Sequence, residues 1–152
     1  MRIYRRILLA STLAASLFAG ATVHASQLEQ IKKKGELVVG ILGTDEPNSF
    51  IDPKTREYIG YEVDLAKEVA AKMGVKPVFK QVAVAARIPE LQQGRIDMLA
   101  ASLTHNKERE AQIDFSLTHL LTGSKVMVTN SCTIIDVKQL AGKKALTVKG
   151  GT

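Results

Sequence analysis

Within eight residues, the stretch Ser102-Leu103-Thr104-His105-Asn106-Lys107-Glu108-Arg109 gathers two hydroxyls, a helix-capping amide and a guanidinium. Thr104 or Asn106 can cap a helix whose first turn offers free backbone N–H groups. Arg109 can fold back toward the same opening and present two parallel, charge-assisted donors to a carboxylate, with the hydroxyls and amides taking the remaining lone pairs. That is the donor set of a carboxylate site. The same spacing also describes a capped surface helix with a solvated Arg109. Arg87 is either a second positive group or the solvated face of its own short helix.

The other reactive side chains carry less. Asp64 and Glu68 stand one helical turn apart, but the neighbouring Lys67 and Lys72 make a solvated, ion-paired face the simpler reading than acid–base catalysis. Asp45 and Glu46 could meet a cationic ligand group or simply form a turn with Pro47. His105 could act as a base, and His119 and Cys132 have no triad partners in view. Lys143 follows Gly142, but no glycine stands five residues earlier, so the phosphate-binding loop pattern fails.

These residues need a frame. Leu37 to Leu42 is an apolar run with the length of a buried strand, preceded by a short helix bearing Leu28 and Ile31, with Lys32 to Lys34 and Gly35 at its end. Gly43 to Gly60 reads as a long loop. Val63, Ala66, Val69, Ala70 and Met73 recur at helical spacing ahead of Gly74, which predicts a helix over 62–73. Pro77 to Val82 and Ile96 to Ala101 follow as strands, with a short helix over 87–93 between them and another over 107–112. Further strands are expected over 124–129 and 144–149. Alternating strands and helices at this spacing define an α/β class with mostly parallel pairing. Ligands in such sheets sit at the carboxyl ends of the strands. There lie the loops Gly43–Phe50, Val82–Arg87 and Ser102–Asn106. The final strand runs straight into Gly150-Gly151-Thr152, which points to a piece of a longer protein.

Composition bounds the function. The chain has 152 residues, 45% hydrophobic and 24% charged, the profile of an ordinary globular protein. Its formal charge is +6, but Arg2, Arg5 and Arg6 contribute three, so 18 basic against 15 acidic side chains leave +3. The only tight basic run, Lys32 to Lys34, has no aromatic residue interleaved with it, which argues against a nucleic-acid surface. One cysteine excludes an internal disulfide, and the scattered histidines show no metal spacing. No cofactor is expected. Residues 1–25 combine a basic start, an apolar run from Ile7 to about Ala21 and small residues before Ser26, the pattern of a secretory signal cleaved after Ala25. No cysteine stands at that position for lipid attachment, so the mature chain is expected in the periplasm.

Six motifs then fall in order: Gly35-Glu36-Leu37-Val38-Val39-Gly40; Gly60-Tyr61-Glu62-Val63-Asp64-Leu65-Ala66; Arg87-Ile88-Pro89-Glu90-Leu91 through Gly94-Arg95-Ile96-Asp97; Ser102-Leu103-Thr104 leading to Glu108-Arg109-Glu110; Ile113-Asp114-Phe115-Ser116; and Gly151-Thr152. Together they resemble the periplasmic solute-binding proteins of ABC importers for polar amino acids, from Gly35 through Thr152. The resemblance implies the type II binding fold, two α/β lobes that close over a ligand about two crossing strands. On that pattern 26–125 is the first lobe, 125–129 the first crossing and 130–152 the start of the second lobe. It implies that Arg109 clamps the α-carboxylate, that Ser102 and Thr104 bind the carboxylate or the ammonium group, that Arg87 reaches an acidic side chain, and that Thr152 opens the loop that closes on the carboxylate. Where many members carry an aromatic shelf this chain has Asp45, with Phe50 as a substitute, and Val84 stands where an aromatic or polar residue is common. The implied partners are a polar L-amino acid, glutamate or aspartate being the guess from Arg87, and an inner-membrane permease, with the binder acting as a monomer and not as an enzyme. A cyclohexadienyl dehydratase on the same scaffold, with His105 and Glu108 as its only local acid–base groups, and the sensing domain of a receptor are the alternatives.

Overall fold

A computed structural model describes residues 26–151. The expected signal peptide and Thr152 lie outside the described residues. The chain divides into two units, 1–30 and 31–152. Of the first, the described part is the opening of helix α1 (Gln27–Lys34), where the Ser26 hydroxyl accepts the Glu29 N–H at 3.3 Å. The rest belongs to the second unit.

The elements that follow are β1 (Glu36–Ile41), β2 (Thr44–Asp45), β3 (Ser49–Ile51), β4 (Tyr58–Ile59), α2 (Tyr61–Met73), β5 (Lys76–Gln81), a 3-10 turn at Val84–Ala86, α3 (Arg87–Gln92), β6 (Met98–Leu99), α4 (Lys107–Glu110) and a 3-10 turn at Val137–Leu140. β1 is the middle of a parallel sheet in the order β5-β1-β6, with Val38 opposite Val78 and Gly40 opposite Leu99. Its alternation places Leu37, Val39 and Ile41 on one face, where they pack with Val63, Ala66 and Ala70 of α2 in the main core. Gly40 is needed on the opposite face, where a Cβ would come within 2.6 Å of the Ile96 side chain. A strand covered on both faces is what a parallel sheet demands, and this explains the unbroken apolar run of β1. α2 ends as its sequence requires, with Gly74 at φ 70 returning its N–H to the carbonyls of Ala70 and Ala71.

Three sequence expectations need correction. The long loop over 43–60 contains a three-stranded antiparallel sheet, β2-β3-β4. Its strands are two or three residues long, too short to leave a periodic trace. The third strand of the main sheet pairs only over Met98–Leu99, although the amides of Asp97 and Ala100 continue its line to the carbonyls of Val38 and Gly40. Residues 124–129 and 144–149 carry no strand, and Val126, Met127, Leu146 and Val148 are exposed. Apolar β-prone residues become a strand only beside a partner that takes up their N–H and C=O groups, and among the described residues none pairs with them.

The joint between the small sheet and α2 is tight. The Tyr61 and Glu62 amides donate to the carbonyls of Pro47 and Asn48 at 3.2 and 2.9 Å, so backbone of the β2–β3 connection caps the helix. Gly60 lies at φ 124, and a Cβ there would sit 2.5 Å from the Asn48 carbonyl oxygen. Gly60→Ala is therefore expected to cost about 1–3 kcal/mol. A shifted urea midpoint with unchanged slope is the readout, and an unshifted midpoint would remove the close approach as a constraint.

Candidate functional site

The site forms where β6 ends and α4 begins. Asn106 caps α4, its side chain accepting the Arg109 N–H at 2.8 Å. The Arg109 side chain folds back across the loop, where Nη1 donates to the Thr104 carbonyl at 2.8 Å and Nη2 to the Gly150 carbonyl at 2.9 Å. Arg87 meets it there, donating from Nη2 to the same Gly150 oxygen at 2.8 Å. Two guanidiniums thus converge on one oxygen acceptor. Beside them a cavity of about 310 Å³ is lined by Val84, Ile88, Leu103, Arg109 and Gln112, among others.

Arg87 is only 3% exposed. Besides Gly150, it donates to the carbonyls of Val84 at 2.9 Å, Ala101 at 2.7 Å and Ser102 at 3.1 Å. Burial first, and the neighbouring Arg109 second, pull its pKa below the usual guanidinium value, while Glu62 and Asp45 oppose the shift. An arginine stays charged through such shifts. It ties the 3-10 turn before α3 to the end of β6, so the solvated-face reading does not describe it, and its guanidinium stands beside that of Arg109 as a second positive group.

Ser102 is exposed and stands at φ 49, the left-handed region that non-glycine residues rarely adopt. Its N–H donates to Glu62 Oε1 at 2.7 Å, its hydroxyl to Asp45 Oδ2 at 2.5 Å, and the Asn48 amide donates to that hydroxyl at 3.3 Å. Asp45 thereby joins the site from β2. Phe50 is half-buried in β3, where it pairs with Thr44 and Ile59. His105 faces Glu110 at 3.3 Å and packs against the Phe115 ring, whereas Glu108 lines the cavity. Asp64 pairs with Lys67 at 3.3 Å on an exposed face, as its spacing suggested. Among the described residues no cluster of His, Cys, Asp and Glu could hold a metal ion, and no helix is long and apolar enough to cross a membrane.

Sequence reasoning passed over Glu62, Asn48 and the contact of the Tyr61 hydroxyl with His119 Nδ1 at 3.2 Å. Glu62 left a signal: four residues before Ala66, it is an acid on the apolar face of its helix. It is 4% exposed. Burial raises its pKa above 4.5, the Ser102 amide opposes that rise, nearby Asp45 adds to it, and His119 and the Ser102 hydroxyl lower it.

A parallel sheet with loops gathered at its carboxyl edge and two guanidiniums on one oxygen acceptor is an α/β arrangement of the type II periplasmic binding class. Residues 37–147 match the model of the bacterial extracellular solute-binding proteins of family 3, and the chain belongs to that family. It is 35% identical over 129 residues to a glutamine-binding protein of Geobacillus stearothermophilus, covering 82% of this chain and 49% of that one. It is 29% identical to an L-glutamate/L-aspartate-binding protein of Pseudomonas aeruginosa, over 100% of this chain and 53% of the relative. Among solved structures it is similar to an ancestral amino acid-binding protein described as a precursor of cyclohexadienyl dehydratase, at 38% identity and a TM-score of 0.58, over 60% of this chain and 40% of that one. The chain spans about half the length of the curated relatives it matches.

Proposed function

We propose that this chain carries the ligand-capturing lobe of the extracytoplasmic binding component of an amino-acid ABC importer, which takes up a polar L-amino acid and presents it to an inner-membrane permease. The carrying observation is the pair of guanidiniums, Arg109 and Arg87, brought to 2.9 and 2.8 Å of a single oxygen acceptor. An oxygen of an α-carboxylate fits the same donors, with Arg109 as the clamp because its side chain is the less buried of the two. On the other side of Ser102, Asp45 and Glu62 make the loop cluster negative. That polarity matches a zwitterion, its carboxylate at the arginines and its ammonium near Ser102 and Thr104. The family and the named relatives support capture over catalysis; export behind a signal cleaved after Ala25 would deliver the binder to the periplasm, where it would act as a monomer. Thr152 would extend the loop that Gly150 begins, and ligand contacts from both lobes would favour closure.

An acidic ligand gains no particular support from Arg87, because four backbone carbonyls already engage it. Specificity is therefore left to Asp45 and to the second lobe. Thermal unfolding of the purified protein against the twenty amino acids tests the reading, since a ligand that binds only the native state raises the midpoint, by about 2.7 kcal/mol of added stability at a hundredfold excess over Kd. A shift with one or a few polar amino acids is expected. No shift with any of them, together with turnover of prephenate or arogenate, would replace the binder with a dehydratase.

A further inference from the structure

Glu62 has no counterpart in the carboxylate chemistry just described, yet it is a buried acid within reach of the ligand-facing loop. Its Oε1 takes the Ser102 N–H at 2.7 Å, and both carboxylate oxygens lie 3.4–3.5 Å from the Ser102 hydroxyl. On the far side of the same residue Arg87 holds the Ser102 carbonyl at 3.1 Å and the Ala101 carbonyl at 2.7 Å. One residue is therefore gripped between an anion on its N–H and a cation on its C=O. The residue gripped is a serine at φ 49, a conformation that costs a side chain free energy unless its surroundings hold it. We infer that Glu62 is a positioning residue for amino-acid capture: through the Ser102 N–H it holds that peptide in the left-handed turn that seats the Ser102 hydroxyl on Asp45, at the place proposed for the ligand's ammonium group.

This rests on the binding role proposed for Ser102. It also explains why a carboxylate stands on the apolar face of α2. The groups facing it are Asp45 from β2, Arg87 from α3, His119, and Ser102 itself. Its folded pKa is raised, so the stability it contributes is full below the ordinary glutamate value and is lost as pH rises through the folded value. The amide of Glu62→Gln cannot ionise and so escapes that loss as pH rises.

Two variants and two readouts test the assignment. In ligand-free protein, NMR hydrogen exchange of the Ser102 amide is expected to be protected in the wild type and in Glu62→Gln, whose amide Oε1 can accept the same bond, and about tenfold or more faster in Glu62→Ala. Affinity for the amino acid found by unfolding shifts should fall about tenfold or more in Glu62→Ala and recover to within about threefold in Glu62→Gln, whose unfolding midpoint at neutral pH should not lie below that of the wild type. Wild-type affinity in Glu62→Ala, or an unprotected Ser102 amide in the wild type, overturns the positioning role. Equal loss in both variants does so too, because the charge would then be acting on the ligand directly. Should no amino acid bind the wild type, the binding reading fails, and exchange at Ser102 still decides whether Glu62 holds that turn.

Discussion

Replacing Arg109 with alanine is expected to raise the Kd for the captured amino acid by about 30-fold or more, the effect of removing one side of a buried charge pair worth roughly 2–5 kcal/mol. The ligand-free fold should barely notice. Arg109 is half-buried on a four-residue helix at the edge of the domain, its two carbonyl contacts lie in exposed surroundings, and Asn106 caps α4 through a backbone amide that alanine retains. Arg109→Lys should fall between, since an ammonium keeps the charge but loses the planar fork. Calorimetric titration alongside thermal unfolding separates the two quantities. Unchanged affinity in Arg109→Ala would end its role as the carboxylate clamp.

Arg87→Ala should behave in the opposite way, destabilising the protein by about 3 kcal/mol or more before binding is considered. The substitution strips the donor from the buried carbonyl of Ala101 and from that of Ser102, and it removes a cation that interacts with Glu62. Each buried carbonyl left without a donor carries its own penalty, and a buried carboxylate without its neighbouring charge adds another. The denaturant midpoint is the first measurement. The second is affinity for acidic and neutral amino acids, which should fall together because both rely on the loop that Arg87 ties down. A loss confined to acidic ligands, with stability intact, would return Arg87 to reading a ligand side chain.

These two arginines look alike in the sequence, each in the first turn of a short helix after a strand, and the fold separates them. The distinction lies in what surrounds each side chain. Arg87 lies under the end of β6, where four carbonyls from three segments converge, whereas Arg109 stands at the open end of the loop.

Local rules were enough for the frame. The apolar run behind β1, the helical recurrence from Val63 to Met73, the glycine that closes α2 and the Asn106 cap of α4 all express interactions between residues one to five apart, and such interactions print a period or a spacing into the chain. The family motifs added the role proposed for Arg109. The hold on Ser102 is of another kind. Glu62 lies forty residues before it and Asp45 fifty-seven, and their meeting depends on β1 being the middle strand and on a glycine that lets α2 press against the Asn48 carbonyl. Nothing periodic records a contact between side chains from different elements. The residues over 124–129 and 144–149 make the same point in reverse: their β-prone composition was plain in the sequence, but a strand exists only where another strand accepts its hydrogen bonds, and pairing is a property of the tertiary structure.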